Sequence, residues 1–133
     1  MTASLEYLFV YGTLMQDFHN PFAEKLHECS VFEGNGAFPG LLYKVEWYPG
    51  AIHLPESTDM VYGEVYRIQD AADLLKELDA YEEVIEEQSA SLYLRQVVPV
   101  KMEDQRMLNC WTYLYNQSTD VLTKIISGDF RNV

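Results

Sequence analysis

The chain has 133 residues, of which 48% are apolar and 23% charged. That is the balance of an ordinary globular domain and excludes a disordered or collagen-like chain. A chain of this size buries roughly two thirds of its unfolded surface, so a single domain over 1–133 is expected, with no disulfide or metal needed to hold it. Nine basic against twenty-one acidic residues leave a net charge of −12. This argues against a nucleic-acid partner, which needs clustered Lys and Arg, and against docking on anionic membranes.

The N-terminal MTASLEYLFVYGTL has no basic n-region and a broken apolar run, so no secretory signal is expected. No apolar run approaches the roughly 18 residues that span a bilayer; the expected setting is the cytoplasm, with no membrane partner. Leu5 to Tyr11 is short, aromatic and apolar on both faces, and reads as a buried central strand that stops at Gly12. Residues 17–28 read as a loop into a short helix, with Asn20 as cap, Pro21 in the first turn, and Phe22 and Leu26 one turn apart.

Pro39-Gly40 and Pro49-Gly50 are turn signals. Between them LLYKVEWY, 41–48, alternates as a strand does. Val61 to Ile68 is a further strand, whose Gly63 implies a bulge or a close backbone approach. The clearest helix is 70–81, with Asp70 as N-cap, Asp73 in the first turn, and a stripe of Leu74, Leu75, Leu78 and Tyr81. Residues 92–101 and 107–115 form a predicted hairpin, in which Pro99 marks an edge or a bulge. About six strands and two helices, with the main helix late in order, indicate an α+β fold with a mixed, strongly curved sheet rather than βαβ units.

Several chemistries lack support. His19, His27 and His53 have no metal-ligand spacing, so no metal site is expected. There is no GxSxG elbow, no GxGxxG and no P-loop, and no cofactor is expected. Cys29 and Cys110 lie 81 positions apart and read as two reduced, buried thiols.

Other features carry chemistry. Tyr11-Gly12-Thr13-Leu14 follows a buried strand directly. It reads either as an ordinary glycine turn or as a run of N–H groups that forms a nest for a carboxylate or an oxyanion. Glu82 follows the amphipathic helix, anchored by Tyr81. Eight acids between Asp70 and Glu87 face the single Lys76, which makes −7 of the −12. Glu83, Glu86 and Glu87 read as a solvated acidic end, whereas for Glu82 local sequence does not decide. Arg95, in an apolar strand, either pairs with an acid or holds a substrate carboxylate; the structural role is preferred. Trp111, Tyr113 and Tyr115 read as core and pocket wall.

Together these segments resemble the γ-glutamylcyclotransferase family, in particular its small AIG2-like and γ-glutamylamine cyclotransferase branch. The matching elements are FVYGTLM at 9–15, LYKVEWYPGAI at 42–52, VYGEVYRI at 61–68, LDAYEE at 78–83, YLRQVVPV at 93–100, CWTYLYN at 110–116 and ISGDFR at 126–131. The resemblance implies a small mixed β-barrel flanked by helices, with a pocket at one mouth. It implies that Tyr11, Gly12, Thr13 and Leu14 line that pocket, that Tyr48, Pro49 and Gly50 form its rim, that Tyr115 stands at its wall, and that Glu82 is the catalytic acid/base. Two positions depart from the family pattern: Glu83 replaces the usual Gly after the catalytic Glu, and Phe130 replaces a Trp that often follows Gly-Asp.

The implied substrate is a small γ-glutamyl compound, whose own α-amine attacks its γ-carbonyl to release an amine and 5-oxoproline. A tethered nucleophile needs no catalytic Ser, Cys or His, and none is evident. The acidic field favours a cationic leaving group over a glutathione-like anion. Two other readings stand beside this one: a non-catalytic module that binds a small acid or a peptide end on the same barrel, and a γ-glutamyl amide hydrolase in which water attacks.

Overall fold

In the computed structural model the described residues are 5–16, 18–69, 71–82 and 91–132. In chain order they form β1 (Leu5–Val10), α1 (Pro21–Cys29), β2 (Val31–Lys44), β3 (Pro49–His53), β4 (Met60–Gln69), α2 (Ala72–Tyr81), β5 (Tyr93–Met102), β6 (Met107–Tyr115) and β7 (Thr123–Lys124), and end in a 3₁₀ turn, Phe130–Asn132. The α+β expectation holds.

Five strands close into a mixed barrel in the order β2-β4-β1-β6-β5. The β1–β6 pair is parallel and the other pairs are antiparallel. Closure rests on two register pairs, Gly36 with Met102 and Ala37 with Lys101. Pro99 lies on β5 beyond that short seam, where β6 is the neighbouring strand, as its missing N–H requires.

The chain departs from expectation in β2. Pro39-Gly40 is not a turn but lies inside a fourteen-residue strand. Up to Pro39 the strand pairs with β4, and from Gly40 onward with β3. A proline is tolerated where the ladder changes partner. The predicted strand 41–48 is therefore the second half of β2, which ends at Lys44, and Pro49-Gly50 opens β3. Gly63 meets its expectation of close approach: a Cβ there would stand 2.2 Å from the Val10 carbonyl oxygen.

Strand alternation sorts side chains into two cores. Phe9, Tyr11, Phe38, Val61, Val65, Val98, Val100 and Cys110 fill the barrel. Leu8, Val10, Tyr66 and Ile68 face outward and pack under Ala23 and Leu26 of α1 and Leu74, Leu75 and Leu78 of α2. Each such leucine stabilises the fold by about 1.5–3 kcal/mol. Asn20 caps α1, its Oδ1 accepting from the Ala23 N–H at 2.9 Å. The proposed cap of α2, Asp70, lies outside the described residues, as do Glu83, Glu86 and Glu87. Cys110 is buried as expected, but Cys29 is the exposed last residue of α1, past the side chains that the helix buries.

Candidate active site

The ladders on both sides of β1 end at Val10 and Phe9, so the chain from Tyr11 onward leaves the sheet at the barrel mouth. It turns at once, the Met15 N–H donating to the Gly12 carbonyl at 3.1 Å. Three side chains then fasten this loop. Asn20 Nδ2 donates to the Thr13 carbonyl at 2.8 Å. His27 Nε2 lies 2.8 Å from the Leu14 carbonyl; a carbonyl only accepts, so that nitrogen carries the proton. Glu64 Oε1 accepts from the Gln16 N–H at 2.8 Å. The cap of α1 and the histidine of its last turn thus also hold the loop.

A pocket of about 630 Å³ of empty space, open solvent at its mouth included, lies over this loop. Tyr11, Gly12, Thr13 and Leu14 form one side. Trp47, Tyr48 and Pro49 form the rim, and Tyr81 and Glu82 close it from the end of α2. Gly12 and Pro49 touch: a Cβ on Gly12 would stand 2.9 Å from Pro49 Cγ. Of the expected site residues, Gly50 and Tyr115 sit one layer back. The Tyr115 ring packs where a Gly50 Cβ would be, at 2.8 Å, and lies edge-on to Tyr93, 5.7 Å between centroids.

Glu82 is half-buried and ends α2, its N–H donating to the Leu78 carbonyl at 2.9 Å. It faces a wall of phenols. Burial pushes the Tyr11 hydroxyl well above its ordinary range, and the charge of Glu82 pushes it further. Tyr93 is raised by burial first and then by Tyr11 and Glu82. Tyr81 is raised by burial against the opposing bond to Thr13, with Glu82 adding to the rise. The Tyr11 and Tyr93 hydroxyls keep their protons at neutral pH, and those protons are committed: Tyr11 to the Tyr113 carbonyl at 2.5 Å, Tyr93 to the Pro49 carbonyl at 2.5 Å. The Tyr11 oxygen also accepts from the Ala51 N–H at 3.1 Å.

Arg95 takes the structural role. Its Nε and Nη2 donate to the two oxygens of Asp79 at 2.7 and 3.1 Å, and its guanidinium carbon lies 4.5 Å over the Trp111 ring. Asp79 also accepts from the Tyr113 hydroxyl at 2.6 Å. Tyr113 lines the pocket, so this cluster fastens the last turn of α2 to the barrel wall one turn before Glu82.

Comparison with known proteins follows the same lines. Residues 8–132 match the family model described as gamma-glutamyl cyclotransferase, AIG2-like. The gamma-glutamylcyclotransferase family protein YtfP of Escherichia coli strain K12 is 32% identical over 127 residues, 92% of this chain and 94% of that one. Its solution structure superposes with a TM-score of 0.64 at 30% identity, covering 93% and 95% of the two chains. The gamma-glutamylaminecyclotransferase of Rattus norvegicus is 31% identical over 84 residues, 59% of this chain and 55% of that one. YkqA of Bacillus subtilis superposes with a TM-score of 0.72 at 26% identity, over 96% of this chain but 40% of the longer one. This chain belongs to the gamma-glutamyl cyclotransferase, AIG2-like family.

Proposed function

We propose that this protein is an enzyme that cleaves small γ-glutamyl amides by cyclisation, with Glu82 as general acid/base and the loop from Tyr11 to Leu14 as the substrate grip. One observation carries the reading. Among the described residues that line the pocket, Glu82 is the sole carboxylate, and no Cys, His, Lys or Ser joins it. The Thr13 hydroxyl is already engaged with Tyr81 at 2.7 Å. Such a pocket suits a substrate that brings its own nucleophile.

Glu82 takes a proton from the substrate's α-ammonium group. The freed nitrogen attacks the γ-carbonyl carbon, and the tetrahedral centre collapses with rupture of the bond to the leaving amine. Glu82 returns this proton to the leaving nitrogen, and the second proton shed by the attacking nitrogen follows it, so the amine departs as its ammonium ion and 5-oxoproline remains. Holding the chain in its ring-closing shape contributes up to about 7–11 kcal/mol in well-oriented systems. Proton transfer is worth roughly 10² to 10⁴ in rate. Main-chain N–H groups of Gly12 to Leu14 bind the α-carboxylate or the developing oxyanion, a single such donor being worth about 2.7–4 kcal/mol. Tyr48, Pro49 and Gly50 with Tyr115 behind them keep the rim in shape. A cytoplasmic setting accords with two free thiols; among the described residues no helix is long and apolar enough to cross a membrane.

The test is incubation with a panel of γ-glutamyl amines and chromatography for 5-oxoproline. Glu82→Gln is expected to fold normally and to abolish release, and near-normal release would remove Glu82 from the mechanism. Acetylating the substrate's α-amine should stop the reaction. Continued cleavage would mean that water attacks instead.

A further inference from the structure

Two of the motifs, GEVY at 63–66 and GDFR at 128–131, contribute no side chain to the pocket, yet they meet beneath its loop. Glu64 is 4% exposed. It stands on β4 opposite Val10, the last ladder residue of β1. Its Oε1 accepts from the Gln16 N–H at 2.8 Å and from the Tyr66 hydroxyl at 2.9 Å. Its Oε2 faces Arg131 Nη1 at 3.5 Å. Arg131 is itself oriented by Asp129, at 2.9 and 3.1 Å, and by Asn35 Oδ1 at 3.1 Å. The same C-terminal turn reaches the loop a second time: Phe130 stacks on Phe18, centroids 5.6 Å apart and planes within 17°.

A carboxylate withdrawn from water is costly unless fully paired, and an apolar side chain of similar size often serves stability as well or better. Its use here is geometric. An apolar residue leaves the Gln16 N–H without this partner and allows the loop to relax, whereas the carboxylate holds it at one height above the barrel. We propose that Glu64, braced by Arg131, is the positioning residue of the substrate loop: by fixing Gln16 it sets where the Gly12 and Thr13 amides stand. The kinetic consequence rests on the function proposed above. The placement of the amides does not.

The experiment compares Glu64→Gln, Glu64→Met and Arg131→Met in the full chain by amide NMR and by 5-oxoproline kinetics. Glu64→Gln keeps an oxygen for Gln16 and Tyr66. It is expected to leave the Gly12 and Thr13 resonances in place and kcat/KM within about threefold, the scale of a modest hydrogen-bond change. Glu64→Met is expected to move those resonances and to lower kcat/KM roughly 10²-fold, the usual cost of misplacing a site by about 1 Å. Unmoved Gly12 and Thr13 resonances in Glu64→Met, or equal losses in the Gln and Met variants, would overturn the assignment. If Glu64→Met does not fold, Arg131→Met decides, with the same two resonances expected to shift and their constancy counting against the proposal. If the unmutated chain releases no 5-oxoproline, the proposed reaction falls, while the resonances still report on Glu64.

Discussion

Thr13 Oγ1 and the Tyr81 hydroxyl lie 2.7 Å apart, across 68 positions of sequence. The bond ties the loop after β1 to the residue that precedes Glu82, so the two halves of the pocket share one clasp. Phe22 of α1 supports it by packing on the Tyr81 ring at 4.6 Å. Tyr81→Phe keeps that packing and removes the hydroxyl. A net loss of about 0.5–1.5 kcal/mol in unfolding free energy is expected for one such bond, and kcat should fall more than KM rises if the clasp sets the distance between Glu82 and the Gly12 amide. Denaturant titration and steady-state kinetics check the two halves separately.

Most of this architecture was legible because its signals are local. The stripe Leu74, Leu75, Leu78 marks α2, Asn20 and Pro21 mark the start of α1, and even Gly63 declares the crossing against Val10. In β2, Pro39-Gly40 has the composition of a turn, and its role as a change of partner strand depends on β3 and β4, which no local window contains. In the site, Gly12 to Leu14, Tyr48, Pro49 and Glu82 line one pocket, and it is the family motifs rather than local periodicity that single them out. Nothing local marks Trp47 and Tyr93 as lining, and Tyr81 reads as a packing anchor, because their convergence depends on barrel closure. The Glu64 brace was invisible for the same reason: its partners, Gln16 and Arg131, lie 48 and 67 positions away.

Two glycines should separate stability from activity. An alanine Cβ at Gly63 would meet backbone, the Val10 carbonyl oxygen, at 2.2 Å; at Gly12 it would meet the Pro49 ring at 2.9 Å. Backbone inside a barrel ladder has little room to yield, so Gly63→Ala is expected to destabilise by at least the roughly 1–3 kcal/mol typical of overpacking. Gly12→Ala should displace Pro49 and the loop with less effect on unfolding. Its loss should appear chiefly in kcat/KM, giving opposite rank orders in melting temperature and turnover.

The Arg95–Asp79 pair predicts an asymmetry. Arg95→Met removes the two charge-assisted bonds but leaves Asp79 its bond from Tyr113. Asp79→Ala takes both acceptors from Arg95 and leaves the Tyr113 hydroxyl only the longer bond to the Leu75 carbonyl at 3.5 Å. Leaving a buried polar group unsatisfied costs about 1–3 kcal/mol, so Asp79→Ala should be the more destabilising change, and the double variant should recover part of the loss. Strict additivity in the double-mutant cycle would mean that the pair does not couple α2 to the barrel.

The two thiols should behave as different chemical species. Cys29 is exposed, whereas burial pushes the Cys110 thiol up to about 12 from its ordinary 9.0. A disulfide-exchange reagent at pH 8 is expected to titrate one thiol in the native protein and two after denaturation. The same shift has a sign in stability. Cys110 stays protonated in the fold at pH values where the unfolded chain has lost that proton. Its contribution is therefore complete below about pH 9 and declines as pH rises toward 12. The buried phenols of Tyr11 and Tyr93, also raised by burial, act in the same direction. Denaturation midpoints measured from pH 8 to 11 should therefore fall steadily, and Cys110→Ala should flatten part of that slope. A slope unchanged by the substitution would assign the whole alkaline effect to the tyrosines.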